Sequence, residues 1–330
     1  MKATLRAGRD ADAAGFIALI GACWTEYPGI VLDIDGEVPE LRALASYYAK
    51  KGGALWAAQA AGQMVGMVAA WPGDGGAWEV GRMYVAAAER GSGLAHRLLD
   101  VAEAHAAASG AVRLELWSDT RFDRAHRFYE KRSYIRHGAI RPLDDISHSI
   151  EFHYEKPLGE CAVAVLDAAG AASAVPRLAA ILAACVEAGA SVSYLPPLAP
   201  AIAQAAMWRA ARGVATGEHR VLAAWSRGVL AGTVQLALAT QPNQPHRAEV
   251  QKLLVHPDAR RRGLARALLS AAEQVARAAG RTLLTLDTNA GSEAEQLYRT
   301  AGWTEAGRIP GFSLGADGTL TPTVIFYRQL

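Results

Sequence analysis

Two short basic turns, each containing glycine, are the parts of this sequence best suited to chemistry. One of them, RRRGLA at residues 260–265, separates an apolar run ending at Val255 from a stretch whose apolar residues have helical spacing. Backbone N–H groups at the start of a helix, together with the helix dipole, favour an anion such as phosphate. Arginines add bidentate donors for phosphate oxygens, and glycine lets the anion approach the backbone closely. The turn therefore predicts a phosphate site; the alternative is a solvated basic face.

The other turn, RGSGLA at residues 90–95, lies in the same sequence context. We call residues 90–95 the first cradle and residues 260–265 the second cradle. Four residue pairs share an offset of 170 positions: Glu79 with Glu249, Arg90 with Arg260, Gly93 with Gly263, and Ala95 with Ala265. Further along, AHRFYEKRSY and AEQLYRTAGW align Tyr129 with Tyr298 at an offset of 169. Two motifs in the same order at nearly constant spacing indicate a tandem duplication.

Length, charge and hydropathy limit the classes of protein to consider. A chain of 330 residues has room for two domains of ordinary size. A net charge of +2 argues against a general nucleic-acid-binding protein. Apolar stretches such as residues 229–239 are interpreted as too short and too polar to cross a bilayer. The first residues, MKATLRAGRDADA, have no apolar core or cleavage pattern, so we expect a cytoplasmic monomer or homodimer without a membrane partner.

The cysteines and histidines show no metal-ligand spacing. Cys23, Cys161 and Cys185 are widely separated and odd in number, which fits neither a disulfide framework nor a zinc motif. Cys23 and Cys185 lie in alanine-rich helical patterns, where a small buried side chain is expected. The histidines include no HExxH-like cluster, and His148 and His153 are interpreted as strand-surface residues. We therefore expect no metal.

The apolar patterns of the two halves predict the same order of elements. Each half runs through a strand, two helices, a hairpin, the strand with its glutamate, the helix after the cradle, a strand, a helix and two closing strands. Residues 1–158 and 159–330 are therefore predicted as two domains. Central strands with flanking helices indicate an α/β class of the mixed α+β kind. Asp10, Asp119 and Asp287 are interpreted as caps of the helices that follow them.

Two widespread phosphate motifs do not fit the cradles. A Rossmann fingerprint needs GxGxxG after the first strand, whereas both turns follow the fourth strand, and a Walker A loop needs a GK[ST] ending that is absent. Both halves instead resemble the GNAT superfamily of N-acyltransferases, whose acetyl-CoA signature is [RQ]-x-x-G-x-[GA]. The C-terminal half, which ends with PGF and GTLTPT segments, is similar to the tabtoxin-resistance type of acetyltransferase.

The resemblance implies acetyl-CoA as cosubstrate. Cradle N–H groups would hold the CoA pyrophosphate, and the preceding strand would splay from its neighbour so that its backbone pairs with pantetheine. The residues implied in binding acetyl-CoA are Met83, Tyr84, Val85, Arg90, Gly91, Ser92, Gly93, Leu94 and Ala95 in the first half, and Leu253, Leu254, Val255, Arg260, Arg261, Arg262, Gly263, Leu264 and Ala265 in the second.

Four residues are candidates for proton transfer. Glu79 and Glu249 are the candidate bases that deprotonate an amine, because burial of a carboxylate on a strand raises its pKa toward neutrality. The alternative for each is a solvated carboxylate at a strand edge. The resemblance implies that Tyr129 and Tyr298 return a proton to the departing CoA thiolate. The alternative for each is an aromatic side chain that packs its helix against the sheet.

The sequence as a whole predicts a tandem GNAT-like protein that transfers acetyl directly from acetyl-CoA to the amine of a small molecule, with no metal and no nucleic-acid partner. Both halves keep the glycine, arginine and tyrosine. If only one half is catalytically active, we favour the second, because its acetyl-CoA signature is more complete. The alternatives are a CoA-binding sensor without catalysis and a protein N-acetyltransferase, which would need an open groove for a peptide.

Overall fold

The computed structural model describes residues 3–315 and 317–330. The chain forms two compact units: one contains the residues up to 129 together with 139–158, and the other contains 130–138 together with 159–330. Within the described residues, each of two mixed sheets has seven strands and is flanked by helices, which confirms the predicted fold class. Segment 130–138 lies before the predicted boundary at residue 158 but belongs by its contacts to the second unit.

The first sheet contains a long hairpin and one parallel strand pair. Its strands are β1 (Thr4–Ala7), β2 (Ala54–Ala60), β3 (Gln63–Pro72), β4 (Ala77–Val85), β5 (Arg113–Asp119), β6 (Ile135–Pro142) and β7 (Ile150–Pro157). The helices of this half are α1 (Ala13–Trp24), α2 (Leu44–Lys50), α3 (Leu94–Ala108) and α4 (Asp123–Lys131). The strand order is β1-β2-β3-β4-β5-β7-β6, with β4 and β5 parallel. Ala61 and Gly62 form the predicted hairpin turn, both with positive φ.

The second sheet repeats this arrangement. Its strands are β8 (Ala162–Leu166), β9 (His219–Ser226), β10 (Val229–Leu238), β11 (Arg247–Val255), β12 (Leu283–Asn289), β13 (Thr304–Leu314) and β14 (Leu320–Gln329). The helices are α5 (Ala168–Glu187), α6 (Pro200–Thr216), α7 (Leu264–Ala278) and α8 (Glu293–Thr300). The strand order is β13-β14-β12-β11-β10-β9-β8, with β11 and β12 parallel. The structural repeat therefore follows the sequence repeat.

Apolar side chains cover both faces of the second sheet. Along β9, Val221 and Ala223 pack with α5 and α6, whereas the alternate residue Leu222 packs with α7. This alternation is the period of two expected of a strand that is buried on both faces. On α7, Leu264 and Leu268 are four positions apart and fully buried, so one stripe of the helix lies on the sheet. The start of α7 is thereby held in place beside the end of β11.

Helix α5 corrects the sequence-based statement about apolar stretches. It has 20 residues and a mean hydropathy of 1.7, which by length and composition is enough to cross a bilayer. However, 56% of that stretch is buried inside the protein. Its buried residues, among them Leu178 and Leu182, pack with α6 and the sheet. Such packing is the arrangement of a core helix.

Two of the predicted helix caps are wrong. The Asp10 carboxylate accepts hydrogen bonds from the backbone N–H and the hydroxyl of Ser46 at the start of α2, and not from its own helix. The cap of α8 is Ser292, whose Oγ accepts from Glu295 N at 3.1 Å. Asp287 lies farther back on β12, where its carboxylate accepts a hydrogen bond from the Thr323 hydroxyl at 3.1 Å. The Asp287 side chain is therefore bound to β14 and does not cap α8.

Candidate active site

The parallel strands β11 and β12 are paired only where they begin. Arg247–Glu249 pair with Leu283–Thr285, and no further pairing joins these strands among the described residues. On its other side β11 pairs with β10 as far as Val255, and the register shifts near Lys252, whose φ is +49°. From Val250 onward the backbone of β11 is open on the side of β12. The splay implied by the resemblance is present, and it leaves backbone groups for an added strand-like ligand.

The first unit contains the same feature. Ala77–Glu79 pair with Arg113–Glu115, and the pairing between β4 and β5 ends there in the described chain. A register shift in the β3–β4 pairing accompanies a positive φ of +51° at Arg82, the residue 170 positions before Lys252. Each strand before a cradle thus has a bulge that carries a basic residue.

Each cradle leads into a helix through a left-handed glycine. Gly263 has φ +86° and precedes α7, and Gly93 has φ +82° and precedes α3. Apart from the chain neighbours and the helix backbone, no atom of the described residues lies within 4 Å of the position that a Cβ would occupy at either glycine. The backbone conformation and the open space together explain why glycine occurs here and why a bulky anion has room to approach.

A single cleft in the second unit brings the predicted residues of that half together. Its volume is about 1740 Å³. The predicted residues that line it are Glu249, Leu253, Leu254, Val255, Arg260, Arg261, Gly263, Leu264, Ala265 and Tyr298. Arg262 is not among the lining residues; its guanidinium donates to the carbonyl of Asp258 at 3.1 Å. The cleft therefore joins the second cradle, the open edge of β11 and both candidate proton-transfer groups.

The two candidate proton-transfer groups of this cleft differ in environment. Tyr298 is only 6% exposed, and burial raises the pKa of its phenol, with the nearby Asp287 adding to the shift. The phenol therefore stays protonated at neutral pH, and the raised pKa makes it a weaker acid than an exposed tyrosine. Glu249 is half-buried on β11, where its Oε1 accepts a hydrogen bond from Gln251 Nε2 at 3.1 Å. A carboxylate at the wall of a cleft is placed to accept a proton.

Three further residues line the cleft outside the motifs, and sequence reasoning missed two of them, Arg209 and Lys252. Tyr194 from the α5–α6 loop, Arg209 from α6 and Lys252 from the bulge all line it. The Arg209 guanidinium donates to Tyr194 Oη at 2.9 Å, and Lys252 Nζ lies 5.7 Å from the centroid of the Tyr194 ring. One signal was available, since Lys252 is a basic residue in an otherwise largely apolar strand and matches Arg82 in the repeat.

In the first unit, carboxylates neutralise Arg90 and Arg82, which match Arg260 and Lys252 of the second unit. Arg90 donates two hydrogen bonds to Glu26, at 2.6 and 2.7 Å, and these bonds lower the pKa of the Glu26 carboxyl group. Arg124 Nη1 lies 3.5 Å from the same carboxylate. On the bulge, Arg82 forms an ion pair with Glu40 at 2.6 Å. The first cradle therefore includes an internal anion where the resemblance implies a phosphate.

Of the remaining candidates of the first unit, Glu79 is half-buried and Tyr129 is buried. Burial raises the pKa of the Glu79 carboxyl group, although the charges of Arg141 and Lys51 oppose the shift. Burial likewise raises the pKa of Tyr129, which is 7% exposed. The Tyr129 ring packs 6.2 Å from that of Tyr154, and the Tyr298 ring packs in the same way, 5.8 Å from Trp303 and 6.0 Å from Phe326.

Three side chains of the first unit form a group that the sequence did not reveal. Ligand atoms of Glu115, His153 and Glu155 lie within 4.8 Å of one another on β5 and β7. Arg113 approaches both carboxylates, at 3.8 and 4.0 Å, and supplies a positive charge there. The arginine accounts for the two acids without a metal ion.

The expected burial of Cys23 and Cys185 is confirmed, whereas Cys161 is exposed.

Solved structures similar to this chain include several acetyltransferases, each spanning about half of it. An acetyltransferase from Salmonella typhimurium, described as putative and solved with acetyl-CoA, is 20% identical with a TM-score of 0.44, over 52% of this chain and 95% of that one. A GNAT-family acetyltransferase from Streptococcus pneumoniae is 18% identical with a TM-score of 0.43, over 52% and 100%. A ribosomal-protein-alanine N-acetyltransferase from Brucella melitensis is 20% identical with a TM-score of 0.44, over 51% and 99%.

The match to a family model is more extensive. The model of the acetyltransferase (GNAT) family matches residues 18–134 and again residues 190–303. The two matches together cover more than half of the chain, and each contains one cradle. The finer likeness to tabtoxin-resistance enzymes remains a prediction. The chain belongs to the acetyltransferase (GNAT) family, with two such domains in tandem.

Proposed function

We propose that this protein is an acetyl-CoA-dependent N-acetyltransferase that acetylates the amine of a small molecule, and that its working site is the cleft of the second unit. The observation that supports this proposal most is that one cleft, of about 1740 Å³, joins the second cradle to Glu249 and Tyr298. The proposed domains remain residues 1–158 and 159–330.

In the proposed mechanism the second unit binds acetyl-CoA along β11 and the start of α7. N–H groups around Gly263, with Arg260 and Arg261, hold the pyrophosphate, while the open backbone at Leu253 and Val255 pairs with pantetheine. One of these N–H groups polarises the thioester carbonyl. In the first unit the same roles would fall to Met83, Tyr84, Val85 and residues 90–95. The ion pair between Arg90 and Glu26 disfavours an anion there.

The transfer is direct. The amine loses a proton to Glu249 and its nitrogen attacks the thioester carbon, so that an N–C bond forms. The C–S bond then breaks, and Tyr298 donates its phenolic proton to the departing thiolate. Glu249 and Tyr298 line the same cleft and can act on the bound amine and thioester together. The acetyl group can therefore pass directly to the amine, and no covalent acyl-enzyme is required. Glu79 and Tyr129 have these positions in the first unit, where we propose a structural role for them.

Thiol release from acetyl-CoA tests this function with a panel of polyamines, amino acids, amino sugars and peptides. We expect release with at least one small amine, and a loss of about 100-fold or more in kcat for Glu249→Gln but not for Glu79→Gln. Binding of acetyl-CoA without release for any amine would identify a non-catalytic CoA-binding protein instead. A preference for peptides over every small amine would identify a protein N-acetyltransferase.

A further inference from the structure

The second-unit cleft contains an ammonium group that has no anionic partner among the described residues. Lys252 lies on the bulge of β11 and lines the cleft. Its Nζ lies over the Tyr194 ring at 5.7 Å from the centroid. Among residues 3–315 and 317–330, no carboxylate oxygen lies within 4.0 Å of this nitrogen, the distance that defines an ion pair here. The charge of Lys252 is therefore available to a ligand.

A second cation lines the same cleft. The Arg209 guanidinium donates to Tyr194 Oη at 2.9 Å, so the Tyr194 side chain contacts Arg209 at its hydroxyl and Lys252 at its ring face. Within the described part of the chain, Arg209 has no carboxylate at ion-pair distance either. An arginine and a lysine beside one tyrosine offer several N–H donors to one small anion.

Of the three carboxylates that line the cleft, Glu249, Asp287 and Glu293, two act on Lys252. Glu249 lies on β11 and Asp287 on β12, across the splay between these strands. The pKa of Lys252 is lowered, chiefly by burial, and the charge of Arg209 lowers it further, while Asp287 and Glu249 oppose the shift. The four charged groups therefore act on one another across one small volume. Such a cleft suits a ligand that carries both a positive and a negative group.

In the first unit, an internal carboxylate neutralises the residue that matches Lys252. There the bulge residue is Arg82, and Glu40 of the same unit neutralises it at 2.6 Å. A half-buried cation without a partner costs free energy that an internal carboxylate would offset. Because the second unit leaves Lys252 without such a carboxylate, an external anion is the natural partner.

We propose that the acceptor is a small amine that also carries a carboxylate: the carboxylate binds Lys252 and Arg209, and the amine lies at Glu249. This inference rests on the proposed function and adds the acceptor class. A polyamine would bring a further positive charge close to two cations, which disfavours it. An acceptor with a single carboxylate is a zwitterion and adds no net charge to the part of the cleft where Lys252 and Arg209 lie with Glu249 and Asp287.

The test measures acetylation of matched acceptors by the full chain. Amino acids, with the amine α, β or γ to the carboxylate, are each compared with the carboxamide of the same compound. We expect kcat/KM to be at least about tenfold higher for the acid. Lys252→Gln should raise KM for the acid about tenfold or more and remove its preference over the amide, whereas Lys252→Arg should retain most of it. Arg277→Gln, the same loss of charge at the exposed far end of α7, should change neither value.

The comparison of acids with amides and the Lys252 variants each test the proposal. Acetyl-CoA binding is measured by calorimetry on the same samples. Equal use of acids and amides, a preference for polyamines, or an unchanged preference in Lys252→Gln would overturn the acceptor class. So would acetylation of other small amines with no acetylation of any acid in the panel. Absence of acetyl-CoA binding, or binding without acetylation of any amine, would overturn the proposed function itself, which distinguishes the two failures.

Discussion

The Arg90 guanidinium and the Glu26 carboxylate form two hydrogen bonds, at 2.6 and 2.7 Å, inside the first cradle. The equivalent Arg260 instead directs its Nε toward the carbonyl of Val255 at 3.4 Å. Two buried cysteines fix the correspondence, because each thiol donates to the last carbonyl of the strand before its cradle: Cys23 to Val85 and Cys185 to Val255. Three residues after Cys23 is Glu26, and three residues after Cys185 is Ala188. The second cradle therefore has an alanine at the position of Glu26, and its ion pair, Arg261 with Glu293 at 3.9 Å, is long and exposed.

Removal of Glu26 should restore anion binding to the first cradle. Glu26→Ala frees the Arg90 guanidinium, so a second acetyl-CoA site, weaker than the first, should appear in a calorimetric titration. The double variant Glu26→Ala, Arg90→Ala should return the stoichiometry to one. An unchanged stoichiometry in Glu26→Ala would mean that this ion pair is not what closes the first cradle.

Tyr298 and Tyr129 should differ in their effect on catalysis. Burial and the charge of Asp287 raise the pKa of Tyr298, so its phenol carries a proton for the thiolate at neutral pH. Tyr298→Phe removes that proton with little change in volume, and kcat should fall by about 100-fold or more. Tyr129→Phe is the matched control and should leave kcat within about twofold. Equal losses in both variants would contradict the assignment of catalysis to the second unit.

Glu79 should make the stability of the first unit depend on pH. Burial raises the pKa of its carboxyl group in the folded chain, so the folded state favours the neutral form. The contribution of the neutral Glu79 carboxyl group to the free energy of unfolding is fully present below the pKa of this group in the unfolded chain. It is lost as the pH rises through the pKa of the group in the folded chain. Glu79→Gln should therefore raise the Tm at pH 7.5 by about 1–3 °C and have little effect at pH 4. Asp144→Asn, at an exposed carboxylate of the same unit, is the control; a Tm gain for Glu79→Gln that is equal at both pH values would contradict this account.

The sequence predicts the repeat, the order of elements and the cradles because these depend on short-range patterns. Gly263, for example, is recognisable because a positive φ before a helix favours glycine. The missed contacts join residues that are distant in sequence. Glu26 and Arg90 are 64 positions apart, and Tyr194 and Lys252 come from different elements. No local pattern reports which carboxylate faces which arginine.

The wrong helix caps and the overlooked apolar helix have a similar physical origin. An aspartate before a helix is a good cap, but Asp10 binds Ser46 of another helix because the fold places the two together. Helix α5 is apolar enough for a membrane because α6 and the sheet cover much of its surface. In both cases tertiary contacts decide the role of a residue that local propensity leaves open.

The central claim, that one site in the second unit works, is tested most directly by calorimetric titration of the whole chain with acetyl-CoA. We predict one site per chain. Gly263→Glu should abolish it, because a carboxylate then lies where the phosphates bind, whereas Gly93→Glu, at a glycine with nearly the same φ and equally open surroundings, should keep it. Two sites in the wild-type chain, or loss of binding in Gly93→Glu alone, would contradict the account.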